Sequence, residues 1–117
     1  MNPKDKIGIK KVPMGLLPPA GKIYGAMAFK DGARKYGPYN WRSAKVIMSI
    51  YLDAIERHLM AIRDGEDIAT DSGVPHLGHI IADASLLADA IEGGWLEDDR
   101  PPKGPGPAIL DRFMEKA

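Results

Sequence analysis

The 117-residue chain contains no cysteine. Disulfides, thiolate metal sites and a cysteine nucleophile are therefore excluded, and the composition suits a reducing cytoplasm. An excess of charge of one sign is missing too: 16 Lys and Arg balance 16 Asp and Glu, for a formal net charge of zero. Such a chain has no long-range pull toward polymeric nucleic acid or an anionic membrane. No apolar run approaches the ~20 residues that span a bilayer, so no membrane association is expected. Met1 to Lys11 alternates Lys with apolar residues and lacks the continuous apolar region of a secretory signal. Aromatics make up only 7% of the residues, so the place where they gather carries information.

Proline, by contrast, is plentiful. The ten prolines cluster at Pro18-Pro19, Pro38, Pro75 and Pro101 to Pro107, where they separate segments instead of interrupting them. Three of those segments have helical period. From Pro75 to Glu92, Leu77, Ile80, Ile81, Ala84, Leu87, Ala88 and Ile91 recur every three or four residues on one face. Pro75 suits a first helical position and Gly93-Gly94 a stop. Ser43 is placed to cap a second helix through Arg63 or Asp64, with Ile47, Tyr51, Ala54, Ile55, His58, Leu59 and Ile62 inward and Gly65 ending it. The first helix starts near Pro18-Pro19 and runs toward Tyr36. Gly25 and Gly32 within it each cost about 1 kcal/mol relative to Ala, which calls for close approach of a helix or a ligand.

The remainder reads as connections. Asp64 to Val74 is loop-like, residues 96–107 form a Pro/Gly linker, and 108–117 hold a short C-terminal helix, clearest from Ala108 to Met114. Lys6 to Val12 is the one stretch with strand-like alternation. The expectation is an all-α helical bundle, a single domain whose core spans about residues 14–95. Met48, Leu52, Leu59 and Met60 lie beyond the main apolar arc of their helix, and this surplus for a chain of this size points to a homo-oligomer.

Chemistry could sit where polar stripes flank the buried faces. At about 100° per residue, Asp53, Glu56 and Arg57 fall together on the second helix, and His76, His79 and Asp83 on the third. Antiparallel packing at the usual 8 to 10 Å could bring carboxylates from both into one volume. Two or three hard oxygen donors would suit Mg²⁺, which fills its octahedron with water or phosphate. The same stripes also read as solvated faces, and Asp89 and Glu92 as plain surface. Asp83 stands out because it interrupts an otherwise apolar helix. A Zn²⁺ site of His58, His76 and His79 competes with His58 as a core residue, and no adjacent His-Asp pair occurs to support an HD-type phosphohydrolase. A basic and aromatic segment, Lys30, Arg34, Lys35, Tyr36, Tyr39, Asn40, Trp41 and Arg42, offers cations for phosphate, rings for stacking and an amide for a base edge.

Three strings in order, GARKYGPYNWR (Gly32 to Arg42), YLDAIERHL (Tyr51 to Leu59) and GEDIATDSGVPHLGH (Gly65 to His79), resemble the phage dATP/dGTP diphosphohydrolase family, itself similar to the MazG-like all-α NTP pyrophosphohydrolases. The resemblance covers roughly residues 14 to 92. It implies a helical, oligomeric, Mg²⁺- or Mn²⁺-dependent enzyme of the host cytoplasm. Such an enzyme cleaves a purine deoxynucleoside triphosphate, dGTP or dATP, to monophosphate and pyrophosphate. The superfamily pattern of E-x-x-E followed by E-x-x-D lands on Asp53-x-x-Glu56 and on Ile80-x-x-Asp83, with Ile80 unable to bind metal and His79 the nearby substitute. The expected metal ligands are thus Asp53, Glu56, His79 and Asp83, with Asp53, Glu56 and Asp83 catalytic. Lys30, Lys35 and Arg57 are expected against the phosphates, Tyr36, Asn40 and Trp41 against sugar and base, with guanine ahead of adenine, and His76 is expected among the substrate-binding residues. The competing class is a non-catalytic helical module that senses nucleotides or regulates a partner.

Overall fold

Asn2 and Pro3 start the chain as a helix where alternation suggested a strand. In the computed structural model, which describes residues 1–115, the Asn2 side chain accepts from the Lys4 backbone N–H at 2.8 Å. Pro3 occupies the first turn of α1 (Pro3–Gly8), where its missing N–H costs nothing. A 3₁₀ turn at Met14–Leu16 leads into α2 (Pro19–Tyr36), and a second at Asn40–Arg42 precedes β1 (Val46–Ile47). Then follow α3 (Met48–Arg63), α4 (His76–Gly93), β2 (Leu96–Glu97) and α5 (Gly106–Arg112). The chain is all-α, as its periodicity implied.

Boundaries moved where distant residues act. The second long helix begins at Met48, five residues beyond Ser43, whose hydroxyl instead donates to the Asn40 carbonyl at 2.9 Å. Its capping acceptor comes from the far end of the domain: Asp99 accepts from the Ser49 N–H at 2.9 Å and from its hydroxyl. That carboxylate does the work of an N-cap side chain. Residues 96–97 are likewise part of the fold and not linker, because β2 pairs in parallel with β1 in the register Val46↔Leu96 and Ile47↔Glu97. The last helix ends at Arg112; residues 116–117 of the expected terminal helix lie outside the described residues.

Both α2 and α3 pack on α4. The α2–α4 contact is close because small residues meet there, Gly25 against the Ile81 side chain, Gly78 against the Tyr24 backbone and Ala28 in one cluster with Ala82. A Cβ on Gly25 would stand 2.7 Å from Ile81 Cγ2, and one on Gly78 only 2.5 Å from the Tyr24 carbonyl oxygen. Gly25 therefore has the packing reason its position demanded. Gly32 has open space around its Cα and lines a cavity instead. Two small clusters form the core, Ala28, Val74 and Ala82 in one and Trp41, Val46 and Ala90 in the other, with Phe29 touching both. Gly94, at φ 82°, ends α4 in the left-handed conformation that glycine adopts freely.

Gly78→Ala should destabilise the domain by about 1–3 kcal/mol, the range for overpacking, even though Ala is the better helix former by about 1 kcal/mol. The opposing carbonyl is backbone and has little room to retreat. Denaturant unfolding of the two proteins side by side checks this, and an Ala variant at least as stable as the parent would refute the close approach.

Candidate active site

A cavity of about 740 Å³ opens between α2, α4, the inner side of α3 and the turn at residues 37–42. Its walls differ in chemistry. At one end Trp41, 7% exposed, donates its indole N–H to Asp89 Oδ2 at 2.7 Å. Arg42 grips the same carboxylate through Nε and Nη2, both at 2.9 Å. The Arg42 guanidinium also lies 4.4 Å from the centre of the Tyr39 ring, a cation–π contact. Tyr39 holds a left-handed backbone at φ 53°, uncommon for a residue with a side chain. Arg42 and then Trp41 hold the Asp89 carboxyl below its ordinary range, so this latch is ionised at neutral pH.

The other end is charged and imidazole-rich. Asp31 bridges Arg34 at 2.7 Å and Lys35 at 3.0 Å, and the hydrogen bond from Lys35 is the chief reason its carboxyl titrates low. His79 stacks on His58 with ring centres 4.7 Å apart and planes 4° from parallel, while its Nε2 meets Ser72 Oγ at 2.7 Å. His58 Nδ1 lies 2.8 Å from His76 Nδ1, and His76 Nε2 lies 2.7 Å from Glu66 Oε1. Burial lowers the pKa of both His58 and His79, with the neighbouring imidazoles pushing His58 the same way. Neutral rings therefore dominate at pH 7.

Between the two ends sits Asp83. Desolvation raises its carboxyl to about 6, and the positive charge of Arg57 offsets only part of that. It carries no ion pair among the described residues, in contrast to Asp31 and Asp89.

Of the residues singled out from sequence, Lys30, Lys35, Tyr36, Asn40, Trp41, His79 and Asp83 line this one cavity. His76 is buried behind it and communicates through His58. Asp53, Glu56 and Arg57 are exposed on the outer side of α3, because the arc Tyr51, Ile55, His58 and Ile62 turns toward α4. Asp53 and Glu56 thus do not join Asp83 in the cavity. The part played by Asp89 was invisible in sequence, since its partners are 47 and 48 residues away. The place of His58 in the apolar arc signalled burial but not its contacts.

Among the described residues no group of three or more His, Asp or Glu side chains stands where it could hold a metal ion. The donor type nevertheless suits a hard cation that arrives with phosphate, since Mg²⁺ commonly takes one or two carboxylates and completes its shell from phosphate and water. Asp83 and Asp71 are the carboxylates of the cavity without an ion pair among the described residues.

The family described as dATP/dGTP diphosphohydrolase, N-terminal, matches residues 1–100. The chain belongs to this family. A dATP/dGTP diphosphohydrolase of Salmonella phage PMBT28 is 28% identical over 91 residues, which is 78% of this chain and 29% of that protein. The chain thus spans less than a third of the relative it matches. No solved structure matches it. The family match extends over every residue that lines the cavity, and so covers the aromatic latch and the imidazole cluster together.

The raised pKa of Asp83 sets a sign for stability. Its folded value of about 6 stands above the ordinary 3.8, so folding favours the protonated acid. The stability tied to that proton is complete below about pH 4 and is lost as pH rises through 6. Asp83→Asn, measured in chelator, should therefore match the parent at pH 4 and exceed it at pH 8. The ceiling is about 3 kcal/mol from 1.36 kcal/mol per pKa unit, reduced by residual solvent contact. Equal gains at the two pH values would show that Asp83 is not desolvated.

Proposed function

We propose that the chain hydrolyses a purine deoxynucleoside triphosphate between its α and β phosphates, releasing the monophosphate and pyrophosphate. The observation that carries this reading is a single cavity with an aromatic wall at one end, cations and imidazoles at the other, and an unpaired carboxylate between them. Along α4, His79 and Asp89 are ten residues apart, about 15 Å of helix, a length on the scale of an extended nucleoside triphosphate. The name of the phage relative supports the substrate class.

In this reading the base lies against Trp41, whose ring Asp89 holds in place. Asn40 reads a base edge with one acceptor and two donors, and Tyr36 meets the sugar. Lys30 and Lys35 neutralise charge that develops on the phosphates. Asp83 would offer an oxygen to the divalent cation, Mg²⁺ or Mn²⁺, that the triphosphate carries, and such a cation would supply positive charge for the phosphates and a more acidic bound water. Arg57 adds positive charge near Asp83 from the outer side of α3. The protein acts in the cytoplasm of a phage host; among the described residues no helix is long and apolar enough to cross a membrane.

Hydrolysis should yield dGMP from dGTP, and dAMP from dATP more slowly, when pure protein is incubated with each deoxynucleotide and the products are resolved. Chelator should stop it. Asp83→Ala should abolish turnover and leave the helical fold intact. A non-catalytic nucleotide sensor is favoured by one observation, that the described residues gather no group of three or more His, Asp or Glu able to hold a metal ion. Binding of dGTP without any product would establish that reading and overturn hydrolysis. Equal kcat/KM on all four deoxynucleotides would remove the role given to Asn40 and Trp41.

The assembly is proposed to be a homo-oligomer. The radius of gyration is 17.9 Å, against about 13 Å for a compact chain of this length. Among the described residues no large side chain is fully buried, and Leu16, Ile9, Val12 and Met60 are 66–79% exposed. Light scattering at micromolar concentration should give at least twice the 12.7 kDa of the chain. A monomer mass would end this part of the reading.

A further inference from the structure

The arm that precedes α2 buries none of its residues: every position from Met1 to Pro18 is exposed. Ile7, Ile9, Val12, Met14, Leu16 and Leu17 are each 61–79% exposed, and apolar side chains gathered in this way mark a surface that meets a partner. Lys4, Lys6, Lys10 and Lys11 stand among them against the single acid Asp5, which leaves the arm a formal net charge of +3.

The body carries a slot of the opposite character. A second cavity, about 310 Å³, is lined by Tyr24, Ile62, Asp67, Ile68, Pro75 and Leu77, of which Tyr24, Ile68 and Leu77 are 39–53% exposed. Ile68 and Pro75 pair as an antiparallel bridge, and the His76 N–H donates to the Asp67 carbonyl. The slot is therefore formed before anything enters it. Between Ile62 and Leu77 the chain carries Asp64, Glu66, Asp67 and Asp71 against Arg63 alone, a formal net charge of −3. None of these four acids pairs with Lys or Arg among the described residues. The arm does not fill the slot of its own chain, since both remain exposed. Leu17 and Pro18 are extended, at ψ 116° and 139°, and the rings of Pro18 and Pro19 fix φ where the chain would have to reverse.

We propose that the segment Ile7–Val12 of one copy docks in the slot of a second copy, Ile9 and Val12 against Tyr24, Ile68 and Leu77, with Lys10 and Lys11 facing Asp64 and Asp67. Reciprocal exchange of the arms closes a two-fold dimer. The inference rests on the proposed homo-oligomer and names the surface that builds it. The slot shares no lining residue with the nucleotide cavity, so changes in the arm and slot leave the walls of that cavity in place.

Two measurements on the full chain test it. The chain has no cysteine, so Val12→Cys and Ile68→Cys variants each carry one thiol. Mixed and treated with a short bis-maleimide, they should give a cross-linked pair that neither variant gives alone. Lys10→Glu with Lys11→Glu should raise the dimer dissociation constant about tenfold or more, because like charges then oppose one another. Asp64→Lys with Asp67→Lys should do the same. All four changes together should return it to within about threefold of the parent, a rescue that a loss of folding would not give. If Ile68→Cys does not fold, the charge changes, all at exposed positions, carry the test. A monomeric parent at micromolar concentration overturns the homo-oligomer and the docking together. An oligomer whose mixed variants do not cross-link overturns the docking alone, as does a quadruple variant as weak as either pair. A cross-link formed only within a single chain that carries both thiols returns the arm to its own slot and overturns the exchange.

Discussion

The approach of α2 to α4 over glycine and alanine is the constraint on which the rest of the molecule depends. Side chains of ordinary size at Gly25 or Gly78 would push the helices apart, and the cavity is framed by those same two helices a few turns further along. Close contact at one end and a gap at the other follow from residue size along α2. Small residues lie near its start, and Phe29, Lys35 and Tyr36 lie toward its end. Phe29 is the pivot, touching both core clusters and lying 5.4 Å from the Trp41 ring. The packing that sets the helix spacing thus also sets where the aromatic wall stands.

Long-range polar contacts then lock what the small core alone would leave loose. Asp89 holds the turn after α2 against α4 through Trp41 and Arg42, and Asp99 caps α3 through Ser49. Each ties segments about 50 residues apart. Exposed ion pairs of this sort contribute little individually. Trp41 is different, since a buried indole N–H without an acceptor costs about 1–3 kcal/mol. Removing Asp89 would therefore disturb the wall more than the surface position of the carboxylate suggests.

This explains which parts were legible in the sequence. Periodicity at Leu77, Ile80, Leu87 and Ile91 and the punctuation at Pro75 and Gly94 gave α4 almost to the residue, because those signals are local. The start of α3 was placed at Ser43 by the same local logic, and it failed because the capping carboxylate is Asp99. The turn with Asn40 and Trp41 was recognisable by composition, and its partner Asp89 was not, since nothing near residue 89 marks it. Asp53 and Glu56 were set on a shared stripe correctly, but a helical wheel fixes angles within one helix and says nothing of which arc meets a neighbour. The arc of Tyr51 and His58 met α4, so those carboxylates stayed in solvent.

That outcome shifts the electrostatic character of the cavity. Three convergent carboxylates would have made a strongly negative pocket, able to take a triphosphate only with resident cations in place. What lines the cavity is different: of its four aspartates, Asp31 and Asp89 are paired with Lys35, Arg34 and Arg42, and His58 and His79 favour their uncharged forms. Asp83 and Asp71 remain, both lining the cavity without an ion pair among the described residues. A carboxyl that titrates near 6 is mostly ionised at pH 7, so burial weakens the charge at Asp83 without removing it. Lys30, in the same wall, has no ion-pair partner among the described residues. Acceptors for a cation and a donor for an anion thus stand side by side, and the cavity is matched to a ligand that carries charges of both signs.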